Sequence, residues 1–431
     1  MNRFKISGFI GNNYKTLILL NLLFLIVLDL FVILQRPLDL SDGVSSTWWM
    51  IIKNVETGNG YKACEAAYIP NCDITDQTTA IREPLPVFVF ALVGKITNDL
   101  PIAFQLSQLV FNVLICLFVF LLGQEFGSRT LGLIASVIWA FYLPVLHAIL
   151  TVNGDLMAGF FVVSGLLYFI RAVKSGKLKH WMFLGVLFGL AVLSRSSAAL
   201  IFIPLVVGST IYLWKTDALP THGGWYSPLL AIVMFGLVVS PWVVRNEIVF
   251  GRPFWGTTLV GYNLYRHNVI VASGTLPHYV GPDEAYDELE KLVARTPELR
   301  TPMNEAQVDI VFRREARKLI FSNFGEYIGL VVFRFLPLWF NIGVRDQYGQ
   351  TMKLLDYLII VQQILLLIAF LLAIWRGDWR LRLLALCILF FMIAYLAVGS
   401  QLRYMIPVMP VIGLMSAIGI HSIFPLMGPD N

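Results

Sequence analysis

The chain has 431 residues, of which 57% are hydrophobic and only 14% charged, and its mean hydropathy is +0.73. A typical soluble domain carries about 25% charged residues, so this much apolar surface cannot be hidden in a water-soluble core. The same numbers exclude disordered, collagen-like, coiled-coil and disulfide-scaffold classes. A formal charge of +5 is modest and reports membrane topology rather than nucleic-acid binding.

The fold class expected is therefore an all-α polytopic membrane protein. A span needs about 20 mostly apolar residues, because the hydrocarbon layer is near 30 Å thick and each helical residue rises about 1.5 Å. The first such stretch is 16–34, preceded by Arg3, Lys5 and Lys15. It is long for a signal-peptide core and no small-residue cleavage site follows, so an uncleaved first span is expected. Further spans are expected at 102–123, 131–149, 155–172, 181–195, 197–214, 227–245, 353–375, 381–398 and 404–426, ten in all. The stretch 318–341 is an eleventh apolar candidate.

With the N-terminus inside, the short inner segments and adjoining span ends hold twelve Lys or Arg against four acids, the positive-inside pattern. A full crossing at 318–341 would turn the basic cluster 376–382 outward, so a re-entrant or surface-lying segment is expected there. The chain divides into an N-terminal transmembrane module 1–245, carrying a first outer loop 36–101, then a second outer loop 246–317 and a C-terminal transmembrane module 318–431. Within the second loop, 277–318 reads as two short amphipathic helices broken by Pro302. Cys116 and Cys387 fall in apolar spans as small buried hydrophobes. Cys64 and Cys72 lie in the first outer loop, where an oxidising compartment would let them pair as a disulfide; the alternative is two free thiols.

Charged groups at membrane depth cost about 2.5–3.5 kcal/mol each and tend to face functional cavities. Here nearly all the unusual polar residues gather at the outer ends of spans. Asp39 and Asp42 follow the first span. A helix is expected over 44–56, with Trp48 and Trp49 as interfacial anchors, ended by a turn at Gly58, Gly60 and Tyr61. Asp42 could cap that helix. Arg82 and Glu83 precede two prolines and an apolar stretch too short to span. Asp155 opens the fourth span, Arg195 sits at the turn between the fifth and sixth, Arg245 and Asn246 end the seventh, and Arg403 and Tyr404 precede the last. For each Arg alone an anchor or ion-pair role is the plain reading; several converging on one face argue for a site. Asp29, inside the first span, is expected to pair within the bundle.

The order of these motifs carries a resemblance. An outer-loop Asp is followed by G-x-G-Y (58–61), R-x-P-L-x-x-F (82–88), a Gly-rich helical hairpin around Arg195, P-W-x-x-R-N-x-x-x-F-G (241–251) and R-Y-x-x-P-x-x-P (403–410). This resembles the GT-C class of integral-membrane glycosyltransferases, within it the family of protein O-mannosyltransferases and the lipid A aminoarabinose transferase. The resemblance implies a GT-C helix bundle, a polyprenyl-phosphate-linked sugar donor, and a glycolipid, saccharide or protein hydroxyl as acceptor. It implies Asp42 as general base, Arg82 and Glu83 as the pre-proline pair that contacts donor or metal, and Arg245 and Arg403 near the lipid phosphate. Tyr61, Asp155, Asn246 and Tyr404 complete the expected substrate-binding set. A divalent cation is possible; the implied location is a bacterial inner membrane with the site facing the periplasm. Two departures stand out: the pre-proline pair is Arg–Glu where the aminoarabinose subtype has an acid then Lys, and Gly43 replaces the second acid of the O-mannosyltransferases.

The chemistry is consistent on its own terms. A sugar phosphate already has a good leaving group, so the site must supply a base for the acceptor hydroxyl and fixed positive charge for the departing phosphate, which guanidinium forks bind well. Direct displacement would invert the anomeric carbon. Three rivals remain at this point: a secondary transporter, which usually has mid-depth polar sites and inverted repeats, a periplasm-facing polysaccharide polymerase or ligase, and a non-catalytic flippase or scaffold subunit.

Overall fold

The computed structural model describes residues 3–35, 38, 43–63, 77–216, 224–269, 282–301, 303–342 and 352–423. Asp39, Asp42, Cys64, Cys72 and Pro302 lie outside the described residues. Over these segments the chain is helical. The first helix, α1, runs Arg3–Gln35, and α2 covers Gly43–Glu56. Its buried side chains Trp48, Ile51 and Ile52 recur at i, i+3, i+4, the stripe of an amphipathic helix. Trp48 therefore faces inward, against the expectation that it anchors in the headgroups.

α3 (Pro84–Thr97) starts at a proline, which costs nothing at a first helical position. α4 (Leu100–Phe126) and α5 (Arg129–Ala140) follow, capped by Asp99 and Ser128, whose side chains accept from Ile102 N and Leu131 N. A short helical turn, α6 (Val145–Ala148), leads to α7 (Asp155–Ser175) and α8 (Leu178–Ser194), then α9 (Ala199–Lys215) and α10 (Tyr226–Phe250). The second loop carries α11 (Val260–Arg266), α12 (Pro282–Arg295) and α13 (Glu305–Ser322); α14 (Phe324–Phe333), α15 (Phe335–Phe340), α16 (Leu354–Arg376), α17 (Trp379–Val398) and α18 (Met409–Ile423) complete it.

Seven of these are long and apolar enough to cross a membrane, and they fall on seven of the ten expected spans. The other three expectations meet shorter apolar helices: α5, α8 and α18. The expected span 131–149 is not one helix; it stops at Ala140 and resumes beyond Pro144, because proline lacks the N–H an internal turn needs. The 318–341 stretch belongs to a broken pair, with α13 and α14–α15 meeting at 100°. Arg334, fully buried at the junction of α14 and α15, ties that junction to the second loop and to α17: its guanidinium donates to Asn268 Oδ1 (3.0 Å), to the Leu396 carbonyl (3.1 Å) and to the His267 carbonyl. The expected pair of amphipathic helices is present on either side of 302, as α12 and α13.

α5, α4, α7, α8 and α10 pack in that order as neighbours, with α16 on α18 and α17 on α9. Lipid tails are as apolar as Leu, so helices associate through close packing of small residues and buried polar pairs. A Cβ at Gly419 would run into the Ala369 carbonyl of α16. Asp29 is fully buried and accepts from Asn112 Nδ2 (2.8 Å), while Trp139 Nε1 donates to Asn112 Oδ1 (3.0 Å). One network thus ties α1 to α4 and α5, as expected for Asp29. Cys116 and Cys387 are buried free thiols. Large side chains such as Leu34 (82% exposed) and Ile248 (78%) make up the outward faces.

Candidate active site

The site begins with an extended strap, residues 79–83. On one side it meets the turn after α2: Lys62 and Thr78 form an antiparallel bridge, and Thr79 N donates to the Tyr61 carbonyl (3.1 Å). Gly58 and Gly60 supply the left-handed φ values, +83° and +88°, that bring the chain round at Tyr61 without a Cβ clash. On the other side Thr258 N donates to the Ala80 carbonyl (3.1 Å), and Glu305 Oε2 accepts from Ala80 N and Thr258 Oγ1 (2.8 Å each). Burial holds the Glu305 carboxyl above its usual range despite those bonds. Pro84 then keeps Glu83 extended (φ −69°, ψ 142°), so Arg82 and Glu83 stand clear of the α3 backbone.

Around Arg82 the first cluster forms. Its guanidinium lies 5.9 Å from the Trp48 ring, and the Tyr61 hydroxyl donates to its carbonyl oxygen (2.8 Å). Burial, with the Glu83 carboxylate second, pushes the Tyr61 phenol well above its ordinary pKa, which keeps it protonated as a donor. Arg245 sits over Tyr61 (5.5 Å), Trp242 (4.8 Å) and Phe250 (5.3 Å) and donates to Asn246 Oδ1 (2.8 Å). Asn246, fully buried, holds the Phe254 carbonyl (3.0 Å). The motif P-W-x-x-R-N thus builds a cation–π stack and a loop clamp from one helix end.

The second cluster gathers at the start of α7. Asn153 Oδ1 accepts from Asp155 N (2.9 Å), a local turn that Asn favours, and presents Asp155 at the first helical position. Asp155 is fully buried and ion-paired to Arg195, whose Nε donates to the Tyr395 hydroxyl (2.8 Å). Tyr395 also meets Ser197 Oγ (2.8 Å) and stacks on Tyr404 (4.8 Å between centroids), and Arg403 lies 5.5 Å from the Tyr404 ring. Glu83 bridges the clusters: its Oε1 accepts from Ser196 N and Oγ (3.1 Å each), next to Arg195.

Apart from Asp42, then, the expected residues fall into two clusters joined through Glu83. The charge bookkeeping differs between them. Arg195 is neutralised by Asp155. Arg82 Nε and Nη2 and Arg245 Nη2 are buried donors that meet no acceptor among the described residues. Buried donors are rarely left unsatisfied, and nothing among the described residues satisfies these three. Tyr395, Ser196, Ser197 and Glu305 were not named from sequence. A Tyr near the end of an apolar span and a Glu in a highly charged helix give no distinguishing signal before the partners are known. Among the described residues no three His, Cys, Asp or Glu side chains lie together to hold a metal ion.

Residues 81–244 match the family model for dolichyl-phosphate-mannose-protein mannosyltransferases. No curated protein matches the chain in sequence. In fold it is similar to the Archaeoglobus fulgidus oligosaccharyltransferase in the apo form, at 15% identity and a TM-score of 0.57 over 96% of this chain and 50% of that one. It is also similar to the same organism's oligosaccharyltransferase AglB in complex with an inhibitory peptide and a dolichol-phosphate, at 14% identity and a TM-score of 0.54, with the same coverage. ArnT from Cupriavidus metallidurans bound to undecaprenyl phosphate matches at 14% identity over 92% of this chain and 78% of that one, with a TM-score of 0.41. The chain spans about half the length of the archaeal enzymes. Residues 81–244 carry the sequence features of that mannosyltransferase family, and nearly the whole chain carries the membrane-embedded fold of GT-C glycosyltransferases, as the order of its motifs implied.

Proposed function

We propose that this protein transfers a sugar from a polyprenyl-phosphate-linked donor to a hydroxyl acceptor at the membrane face where these clusters lie. The observation that carries the reading is the buried Arg82 beside the half-buried Arg245, each with buried guanidinium nitrogens that meet no acceptor among the described residues. A transporter reading is not favoured, because the described charged groups of the site sit at helix ends.

In the reaction, the lipid phosphate docks against Arg82 and Arg245, with Arg403 adding charge from the last turn before α18. Asp42, directly preceding α2 in sequence, takes the proton from the acceptor hydroxyl. The hydroxyl oxygen attacks the anomeric carbon, the bond to the phosphate oxygen breaks, and the configuration inverts. Arginine donors fixed in place before the reaction stabilise the charge that develops on the leaving phosphate. Glu83 and Asp155 are engaged by Ser196 and Arg195 and act as positioning groups that hold the strap and α7 in register. Tyr61, Asn246 and Tyr404 keep the arginines oriented.

A solved form of the archaeal relative is a complex with Zn and sulfate. Here the described carboxylates do not fit a cation site, since Asp155 faces Arg195 and Glu83 faces Ser196, and no step is routed through a metal. The same relative's structures with dolichol-phosphate and with an acceptor peptide containing the NVT sequon support a lipid-linked donor and leave glycolipid, saccharide and protein acceptors all in play. Arg171 and Lys174, at the far end of α7 from Asp155, pair with Glu125, and Arg129 lies over Tyr14. By the positive-inside rule a cytoplasmic basic end supports a site on the opposite face, the periplasmic side if the membrane is a bacterial inner membrane, where Cys64 and Cys72 would be free to pair. Transfer assays with a radiolabelled polyprenyl-phosphate sugar test the reading: Asp42→Asn abolishes transfer while expression stays intact, and unchanged turnover would remove the base.

A further inference from the structure

Beside the reacting corner lies a cavity that this chemistry does not use. It is a groove of about 1190 Å³ between α13 and the loop 252–258, and Arg252, Arg313, Arg314, Arg317 and Lys318 line it against a single carboxylate, Asp309. Its walls are fixed. Asp309 Oδ1 accepts from Gly261 N (2.5 Å), Glu305 holds Thr258, and Asn304 and Gln307 form a capping box at the start of α13. Asp309 is further occupied by Arg313 (2.6 Å), Arg314 lies between Glu298 (2.8 Å) and Glu315 (3.0 Å), and Lys318 pairs with Glu315 (2.8 Å). Arg252 and Arg317 make no ion pair among the described residues.

Pro253, Phe254, Ala306, Ile310 and Phe321 make up the apolar part of the lining, and the hydroxyl residues Thr257, Thr258 and Ser322 complete it. Phe321 is 73% exposed and stands at the 100° elbow where α13 turns into α14. Beyond it Phe324, Ile328 and Val332 are all exposed, spaced i, i+4, i+8, so they form one stripe along α14. A basic groove thus runs out onto an apolar track. Water is ~30 Å³ per molecule, so the volume far exceeds a lone phosphate and suits a headgroup.

We propose that this groove binds the phosphorylated headgroup of an anionic membrane lipid, with its acyl chains laid along the Phe324–Ile328–Val332 stripe. Arg252 and Arg317 take the phosphate, and the paired cations set a positive field around it. The site is separate from the donor pocket, but it shares the 252–258 loop whose Phe254 carbonyl Asn246 holds.

Native mass spectrometry of the full chain in detergent, titrated with phosphatidylglycerol, with phosphatidylcholine, or with inorganic phosphate, tests this. Phosphatidylglycerol is expected to bind at least tenfold more tightly than phosphatidylcholine, and Arg252→Ala/Arg317→Ala to remove that preference without changing polyprenyl-phosphate binding. Both residues are exposed, and a melting curve checks that the variant is folded. Equal retention of the two lipids, or a preference that survives the double substitution, would overturn the proposal. Inorganic phosphate binding as tightly as the lipid would overturn the lipid source. Because donor binding is measured separately, failure here and failure of the transferase reading are told apart.

Discussion

Arg82 and Arg245, unlike the ion-paired Arg195, have buried N–H groups that meet no acceptor among the described residues. A hydrogen bond to a charged group contributes about 1.5–3 kcal/mol, so replacing either by Ala is expected to weaken polyprenyl-phosphate binding by roughly tenfold or more, since tenfold is about 1.4 kcal/mol. Arg403→Ala, whose guanidinium lies over Tyr404, is expected to act in the same direction. Titration calorimetry with polyprenyl phosphate reads all three; wild-type affinity in Arg82→Ala and Arg245→Ala would remove the pocket. These residues were legible in the sequence because charge beside an apolar span is costly and therefore conspicuous. Trp48 was misread for the opposite reason: a Trp beside a membrane looks like an anchor, and only the i, i+3, i+4 burial with Ile51 and Ile52 shows that it forms the floor beneath Arg82. Tyr395 and Glu305 were invisible because their meaning lies wholly in partners some 200 residues away, Arg195 and Ala80.

Helices are positioned by pairs that sequence spacing cannot reveal. The Asp155–Arg195 pair joins α7 to the turn after α8, with Asp155 fully out of solvent. Breaking such a pair from one side typically costs about 3–5 kcal/mol, whereas replacing both partners with apolar residues is often neutral. Asp155→Ala is therefore expected to lower the thermal midpoint more than Asp155→Leu/Arg195→Met does, in differential scanning fluorimetry. The opposite order would mean the pair is not a structural unit. Close helix approach makes a second prediction at this scale. Gly419→Leu places a side chain into the Ala369 carbonyl of α16, and is expected to prevent recovery of monodisperse protein, whereas a Leu at the exposed Gly236, which has open space around it, is tolerated. Hydropathy located the long spans because each needs some twenty apolar residues whatever its partners. It merged 131–149 into one span because the Pro144 break adds no polarity, and it could not show how the α14–α15 junction is held, which depends on Arg334 reaching across to Asn268 and Leu396.

Across the whole molecule the charges are sorted end to end along α7. Glu125, Arg171 and Lys174 gather at one end, and Asp155, Arg195, Arg82 and Arg245 lie toward the other. That sorting was legible as loop composition, since twelve basic residues against four acids needs no structure to count. What composition could not show is that Arg195 is neutralised by Asp155 while Arg82 and Arg245 keep buried donors that meet no acceptor among the described residues. The account stands on those two. A cryo-electron microscopy map of the full chain with bound polyprenyl phosphate tests it most directly: the phosphate is expected within hydrogen-bonding distance of both the Arg82 and Arg245 guanidiniums, at the end of the bundle away from Arg171. A phosphate seated at mid-depth among the spans, or at the basic end beside Lys174, would contradict it.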